Sequence, residues 1–448
     1  MRETRNAQAS IFDRYAKHEI GNELAMMSEI LDNCDGLLDW IEEDLIEEGT
    51  QSTGRAGLPV ESVLRCAVLK QARQLSYQEL AFYLEDSSSF RSFARLPQGL
   101  VPRKSALQAN ISRIRPETWE RINRGLIEQA MAGEIESNDQ IRIDSTVVES
   151  NIHEPTDSRL LCDGIRVLTR FMVKARRKLD IPGIRFFDRR KLARSLARQI
   201  FYSRGMAKKK PLYEDLLSHA EQVMEDSYQA FWRVELYQSL GPEYRQWIDQ
   251  VKQYRRLLRR VIRQTRRRVL KGESVPATEK VVSLHEPHTD IIVKGGRDTQ
   301  YGHKLNLTTG KAGLILDATI ESGNPSDTDR YLPMVQRQEA IYELLPTRVA
   351  ADGGYACVAN LEDAKALGVT GAAFQKKKGL TVEAMASSEE IYKQLCDFRA
   401  GIESNISELK RAYGLKRALW RGLEGFKACI WSAICSYNLV KMARLNTT

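Results

Sequence analysis

The 448-residue chain has no apolar run near the eighteen or so residues that a membrane helix needs, and its first residues, MRETRNAQAS, have no apolar leader core. Neither a membrane nor a secretory protein is expected, and the chain reads as cytoplasmic. Its seven cysteines (34, 66, 162, 357, 396, 429 and 435) are odd in number, widely spread and never arranged as CxxC. A disulfide framework and a zinc knuckle are both disfavoured, and buried thiols are expected. Internal repeats and low-complexity tracts are absent. What remains is an ordinary globular composition, 42% apolar and 28% charged, with material for two or three domains.

The net charge of +9 is unevenly spread. In VKQYRRLLRRVIRQTRRRVLKG (251–272) there is no acid. On a helix, Leu257, Leu258, Val261, Ile262 and Val269 would form one apolar stripe, with Arg255, Arg256, Arg259, Arg260, Arg263, Arg266 and Arg267 covering the rest. Such a face suits a polyanion. The competing reading is a solvated helix whose arginines pair with acids elsewhere. A second basic stretch, 173–199, adds weight to a phosphate backbone as partner.

Three regions follow from periodicity. Residues 1–135 read as helical, and LPVESVLRCAVLKQARQLSYQELAFYL breaks at Gln74–Ser76, where Ser76 and Glu79 fit a capping box. This outlines a helix-turn-helix, for DNA reading or for packing and dimerisation. Residues 136–158 and 276–448 read as an α/β domain, with strands at 141–149, KVVSLHEP, TDIIVKGG, GHKLNLTTG, GLILDATIES, TRVAAD and VTGAAF. Residues 159–275 form a basic helical insertion between its first and second strands.

The first strand, IRIDSTVVES, carries a carboxylate, Asp144, in its alternation, and TRVAAD ends on Asp352 before Gly353 and Gly354. Strand ends are where open α/β sheets gather ligands, and the glycine pair allows a sharp turn that exposes the carboxylate. Two carboxylates brought together repel unless a cation holds them, and oxygen donors suit magnesium or manganese. Each aspartate alone is more often a turn former or strand-end cap than a ligand. In CDFRAGIESNISELKRAYGLKRALWRG, helical spacing puts Arg399, Glu403 and Lys410 on one face. A third metal-binding carboxylate beside two phosphate-binding cations, or an ordinary salt-bridged surface, would give that pattern.

The segments IRIDSTVVESNIHEPTDSRLLCDGIRVL, VVSLHEPHTDIIVKGGRDTQYGHKLNL, VAADGGYA and RAGIESNISELKRAYGLKRALWRG together resemble bacterial insertion-sequence transposases of the DDE type, in the broad superfamily of insertion sequences four and five, near its "not classified yet" group. The resemblance spans most of residues 57–440. It implies a ribonuclease H-like core, a mixed five-stranded sheet with helices, carrying Asp144, Asp352 and Glu403 as catalytic metal ligands. Two Mg2+ ions (or Mn2+), roughly 3.5 to 4 Å apart, would serve water attack at the element's ends and then attack by the freed 3'-hydroxyl on target DNA. Arg399 and Lys410 would contact phosphate. The family's signature helix has a tyrosine where this chain has Cys396. Implied partners are double-stranded DNA, as terminal inverted repeats and as target, and further copies of the chain in a homodimer or larger assembly near the nucleoid.

The histidines His285, His288 and His303 cluster with Asp290 in HEPHTDIIVKGGRDTQYGHK, but the spacing matches no standard zinc site and Pro287 blocks a continuous helix. Turn caps or DNA contacts fit better, and His303 with Lys304 is read as a phosphate contact. A metal-dependent nuclease on the same core, and a catalytically silent DNA-binding relative, are the competing functions.

Overall fold

The computed structural model describes residues 3–5, 15–46, 57–97, 99–294, 298–375 and 378–446. Two compact units divide the chain, residues 1–151 with 292–448, and residues 152–291. No helix among the described residues is long and apolar enough to cross a membrane.

The first unit begins with helices α1 (Glu19–Asp32), α2 (Leu37–Leu45), α3 (Val60–Ala72), α4 (Tyr77–Asp86), α5 (Ser88–Phe93), α6 (Lys104–Ile111) and α7 (Pro116–Ala132). The turn between α3 and α4 closes on the expected capping box: Glu79 N donates to Ser76 Oγ (3.2 Å) and Ser76 N to the Glu79 carboxylate (2.8 Å). Strand β1 (Gln140–Ser150) then leads into the second unit, built from α8 (Asp157–Arg177), α9 (Arg190–Tyr202), α10 (Met206–Glu235) and α11 (Pro242–Thr265). That unit has its own core, with Leu161, Leu168, Leu216, Trp247 and Leu258 fully buried.

The chain resumes with β2 (Asp290–Lys294), inside which the unit boundary falls, then β3 (Asp298–Thr309), β4 (Ile315–Ile320), α12 (Tyr331–Tyr342), β5 (Arg348–Ala351), α13 (Val358–Leu367), β6 (Gly371–Phe374), α14 (Val382–Met385), α15 (Glu389–Ala412), β7 (Arg417–Ala418) and α16 (Gly422–Leu445). The result is a mixed α/β architecture. Its sheet has seven strands where the resemblance implied five, in the order β2-β3-β1-β5-β6, with β4 pairing with β3 and the two-residue β7 with β1. Pairing is antiparallel for β1–β3 and β3–β4, and parallel for β1–β5 and β5–β6. The expected strand KVVSLHEP does not form. Val281 N instead donates to the side-chain oxygen of Gln264 (2.8 Å), so a side-chain amide satisfies the backbone that a ladder would have used.

Both faces of the sheet are covered, and alternation sorts the residues between them. Ile141, Ile143, Val349, Ala351, Ala372 and Phe374 face a core shared with the N-terminal helices and with α16, which is buried along most of its length. Ala350 and Ala373 face the other way, against Leu395 of α15. With a period of two, Arg142 and Asp144 also lie on the α15 side.

Candidate active site

Register brings the two aspartates together. Ile143 of β1 is paired in parallel with Ala351 of β5, so Asp144 and Asp352, the next residue on each chain, emerge side by side toward α15. β5 ends there, and Asp352 begins a single 3-10 turn through Gly353–Tyr355. Neither glycine has a positive φ. What Gly354 supplies is room, because a Cβ there would come within 2.9 Å of Asp327 Oδ2.

Helix α15 supplies the rest. Its buried stripe is Leu395, Arg399, Ile402, Asn405 and Leu409, which puts a guanidinium under the sheet edge. Arg399 Nη2 donates to Asp144 Oδ2 (3.0 Å) and stands 3.7 Å from Asp352 Oδ1, while Nη1 donates to Glu403 Oε1 (2.6 Å) and to Gln375 Oε1 (2.9 Å). The i,i+4 pair Arg399–Glu403 is therefore part of a larger cluster, not a surface salt bridge alone. Side-chain exposure rises from 6% at Arg399 and 13% at Asp144 to 39% at Asp352 and 64% at Glu403. The site is closed at the sheet and open at the glutamate.

One guanidinium faces three carboxylates, so the cluster is short of positive charge. Arg399 Nε is buried without a hydrogen-bond partner. Among the described residues no three metal-binding side chains already stand as a cage. The donors are nevertheless hard carboxylate oxygens, of the kind that divalent magnesium or manganese takes, and they converge on a cation that a metal could replace. Lys410 lies seven residues beyond Glu403 on α15, half-buried.

Several supporting residues carry no signal in the sequence. Arg142 is buried beneath the cluster, donating to Thr309 Oγ1 (2.8 Å), to Phe398 O (2.7 Å) and to Asn405 Oδ1 (3.0 Å), with its guanidinium over the Phe398 ring. It ties β1 to α15. Gly401 makes that possible, since a Cβ there would lie 2.1 Å from Arg142 Nη1. Tyr355 donates to Asn306 Oδ1 (3.0 Å), and burial, then the charges of Asp327 and Asp144, push its phenol well above the ordinary range. At the position of the family's tyrosine, Cys396 is half-buried, and Tyr392 one turn earlier donates to Phe374 O (3.0 Å).

Several expected phosphate contacts are corrected. His303 and Lys304 are buried: His303 Nδ1 meets Glu321 O (3.0 Å), its ring packs on Phe426, and Lys304 is bound to Asp327 (2.5 Å) and Pro325 O (2.7 Å). Residues 302–309 of β3 are covered on both sides, so neither side chain is offered to a ligand. The basic helix is also less free than its sequence suggested. It gives way to a π turn at Arg266–Leu270, Arg255 donates inward to Met224 O and Ser227 Oγ, and Arg260 reaches Glu279 O. Arg266 pairs with Glu221, and Arg267 with Glu273 and Glu279. Arg256, Arg259 and Arg263 remain exposed.

A family model described as a transposase DDE domain matches residues 281–439, and one described as a transposase domain matches residues 18–113. The first takes in Asp352, Arg399, Glu403 and Lys410; Asp144 lies outside it and joins them through Arg399. No curated protein and no solved structure matches the chain.

Proposed function

Because this chain belongs to the DDE-type insertion-sequence transposases, we propose that Asp144, Asp352 and Glu403 form one divalent-metal site that cuts the phosphodiester at the element's terminal inverted repeats and then joins the freed 3'-hydroxyl to target DNA. The observation that carries this reading is the convergence of all three carboxylates on Arg399. The strand order supports a ribonuclease H-like core: β4 and β1 both pair with residues 305–309 of β3 from opposite sides, and β5 and β6 continue in parallel beyond β1.

Asp144, Asp352 and Glu403 would hold the cation. Bound there, one or two Mg2+ or Mn2+ ions supply Lewis-acid charge to the attacking and leaving oxygens of an in-line displacement. Arg399, relieved of its carboxylates, carries a planar donor pair suited to the scissile phosphate. Lys410 adds a cation farther along the same helix. Glu403, the most exposed of the three acids, opens the site to solvent. Pairing two element ends calls for at least two copies of the chain.

The test is a labelled terminal inverted repeat and a target plasmid incubated with protein and Mg2+. A joined product is expected, and cleavage with no joining would replace transposition by simple nuclease action. A second prediction concerns Arg399 as the resident counter-ion. Without divalent metal, Arg399→Met should lose about 2–3 kcal/mol, chiefly from the nearly buried Asp144 carboxylate losing its guanidinium, with the exposed Glu403 discounted for screening. Millimolar Mg2+ should restore more of the melting temperature in this variant than in wild type. An unchanged melting temperature in metal-free buffer would contradict the counter-ion role.

A further inference from the structure

From Arg189 to Lys210 the sequence carries nine arginines and lysines and no acid. Two are engaged within the helical unit: Arg189 with Asp226 (2.8 Å) and Arg190 with Asp188 (2.6 Å). Among the described residues no carboxylate lies within ion-pairing distance of the other seven, Lys191, Arg194, Arg198, Arg204 and Lys208, Lys209 and Lys210. This is the opposite of the outcome in the π turn after α11, where Glu221 meets Arg266, and Glu273 and Glu279 meet Arg267.

Three of the seven share one helix face. At about 100° per residue, Arg194, Arg198, Phe201 and Tyr202 fall within about 80° of Lys191 on α9, opposite the buried Ala193 and Ile200. Phe201 and Tyr202 are 65% and 75% exposed, with rings 5.2 Å apart. Two large aromatic rings left in water at the end of a cationic stripe are a cost unless something covers them. Past Arg204, α10 starts at Met206 behind an N-cap Gly205 that offers no side-chain cap, and its first turn has no acid and is followed closely by three lysines. Lysine near a helix N-terminus opposes the helix dipole, whereas an anion there is favoured by the dipole, the open N–H groups and the lysines together.

Resting on the transposase reading, we infer that the α9 stripe and the start of α10 form a DNA-backbone surface of the helical unit, with Phe201 and Tyr202 set against bases at a distorted or unpaired step. The cations neutralise phosphates irrespective of sequence, and the rings stack on exposed base faces. Surface lysines and arginines alone would describe many proteins. The lack of an acid partner among the described residues, the shared face and the bare aromatic pair together select a polyanion with stackable bases.

The experiment is the salt dependence of duplex binding between 50 and 200 mM. Relative to wild type, the variant Lys191→Gln/Arg194→Gln/Arg198→Gln/Arg204→Gln should bind more weakly on every sequence, and its log–log slope should shrink by about 0.9 for each phosphate left unneutralised, or about three to four in all. Phe201→Ser/Tyr202→Ser should leave the slope unchanged and lower affinity about tenfold on DNA with an unpaired base. All these side chains are exposed, so circular dichroism and melting should match wild type. An unchanged slope in the quadruple variant, with weaker binding on replacing Arg256, Arg259 and Arg263 instead, would overturn the assignment. Unchanged affinity of the aromatic variant would remove the rings from the surface. A wild-type chain that binds no duplex at all would bring down the transposase reading itself.

Discussion

Purified Asp144→Asn, Asp352→Asn and Glu403→Gln proteins are each expected to bind terminal-repeat DNA and to cleave it at least about a thousandfold more slowly than wild type. The loss corresponds to about 4 kcal/mol of transition-state stabilisation, the scale on which metal charge and fixed positioning act at phosphorus. Folding should be spared unequally. Asp144→Asn keeps its shape but loses the charge that faces Arg399, and Asp144 is the least exposed of the three acids. Glu403→Gln should leave the melting temperature nearly unchanged, because the Glu403 carboxylate is largely in water. Near-normal strand cleavage by any one of the three would remove that residue from the site.

The second large effect is expected beneath the cluster. Arg142→Met leaves Phe398 O and Asn405 without their donor in a buried setting and should cost about 3 kcal/mol. Gly401→Ala drives a methyl group into the same guanidinium, which has no free direction because Thr309, Phe398 and Asn405 hold it. Both changes act on the link between β1, which carries Asp144, and α15, which carries Arg399 and Glu403. Cleavage should therefore fall by about a hundredfold even where the protein is still folded. Leu126→Ala, in the core of α7 away from the cluster, should cost a similar 2–5 kcal/mol and supplies the control. If Arg142→Met and Leu126→Ala lose activity only in proportion to their folded fractions, Arg142 is a packing residue with no bearing on site geometry.

Much of the sheet was legible because alternation and turn residues are local signals. GHKLNLTTG, GLILDATIES, TRVAAD and VTGAAF correspond to β3 to β6, and Asp144 stood out because it interrupts an apolar strand. Arg399 and Glu403 were legible as a pair because helical spacing is also local. Arg142 was not: an arginine between Ile141 and Ile143 reads as the solvent face of a strand, and only α15, more than 250 residues later, makes that face internal. His303 and Lys304 misled for the same reason, since nothing within β3 says that both faces are covered from residue 302 onward. The basic helix misled through its partners, because Glu221, Glu273 and Glu279 approach it through folding and not through adjacency on the helix. Local pattern found charges well and could not say which of them were already answered.

The central claim is that three segments far apart in sequence hold one divalent cation. Fe2+ substituted for Mg2+, with ascorbate and peroxide, generates radicals at the ion and cuts the polypeptide beside it. Excess Mg2+ should suppress the cuts. The account predicts fragments ending close to residues 144, 352 and 403, all three diminished together by Asp144→Asn. Cuts confined to one of these segments, or clustered elsewhere in the chain, would contradict it.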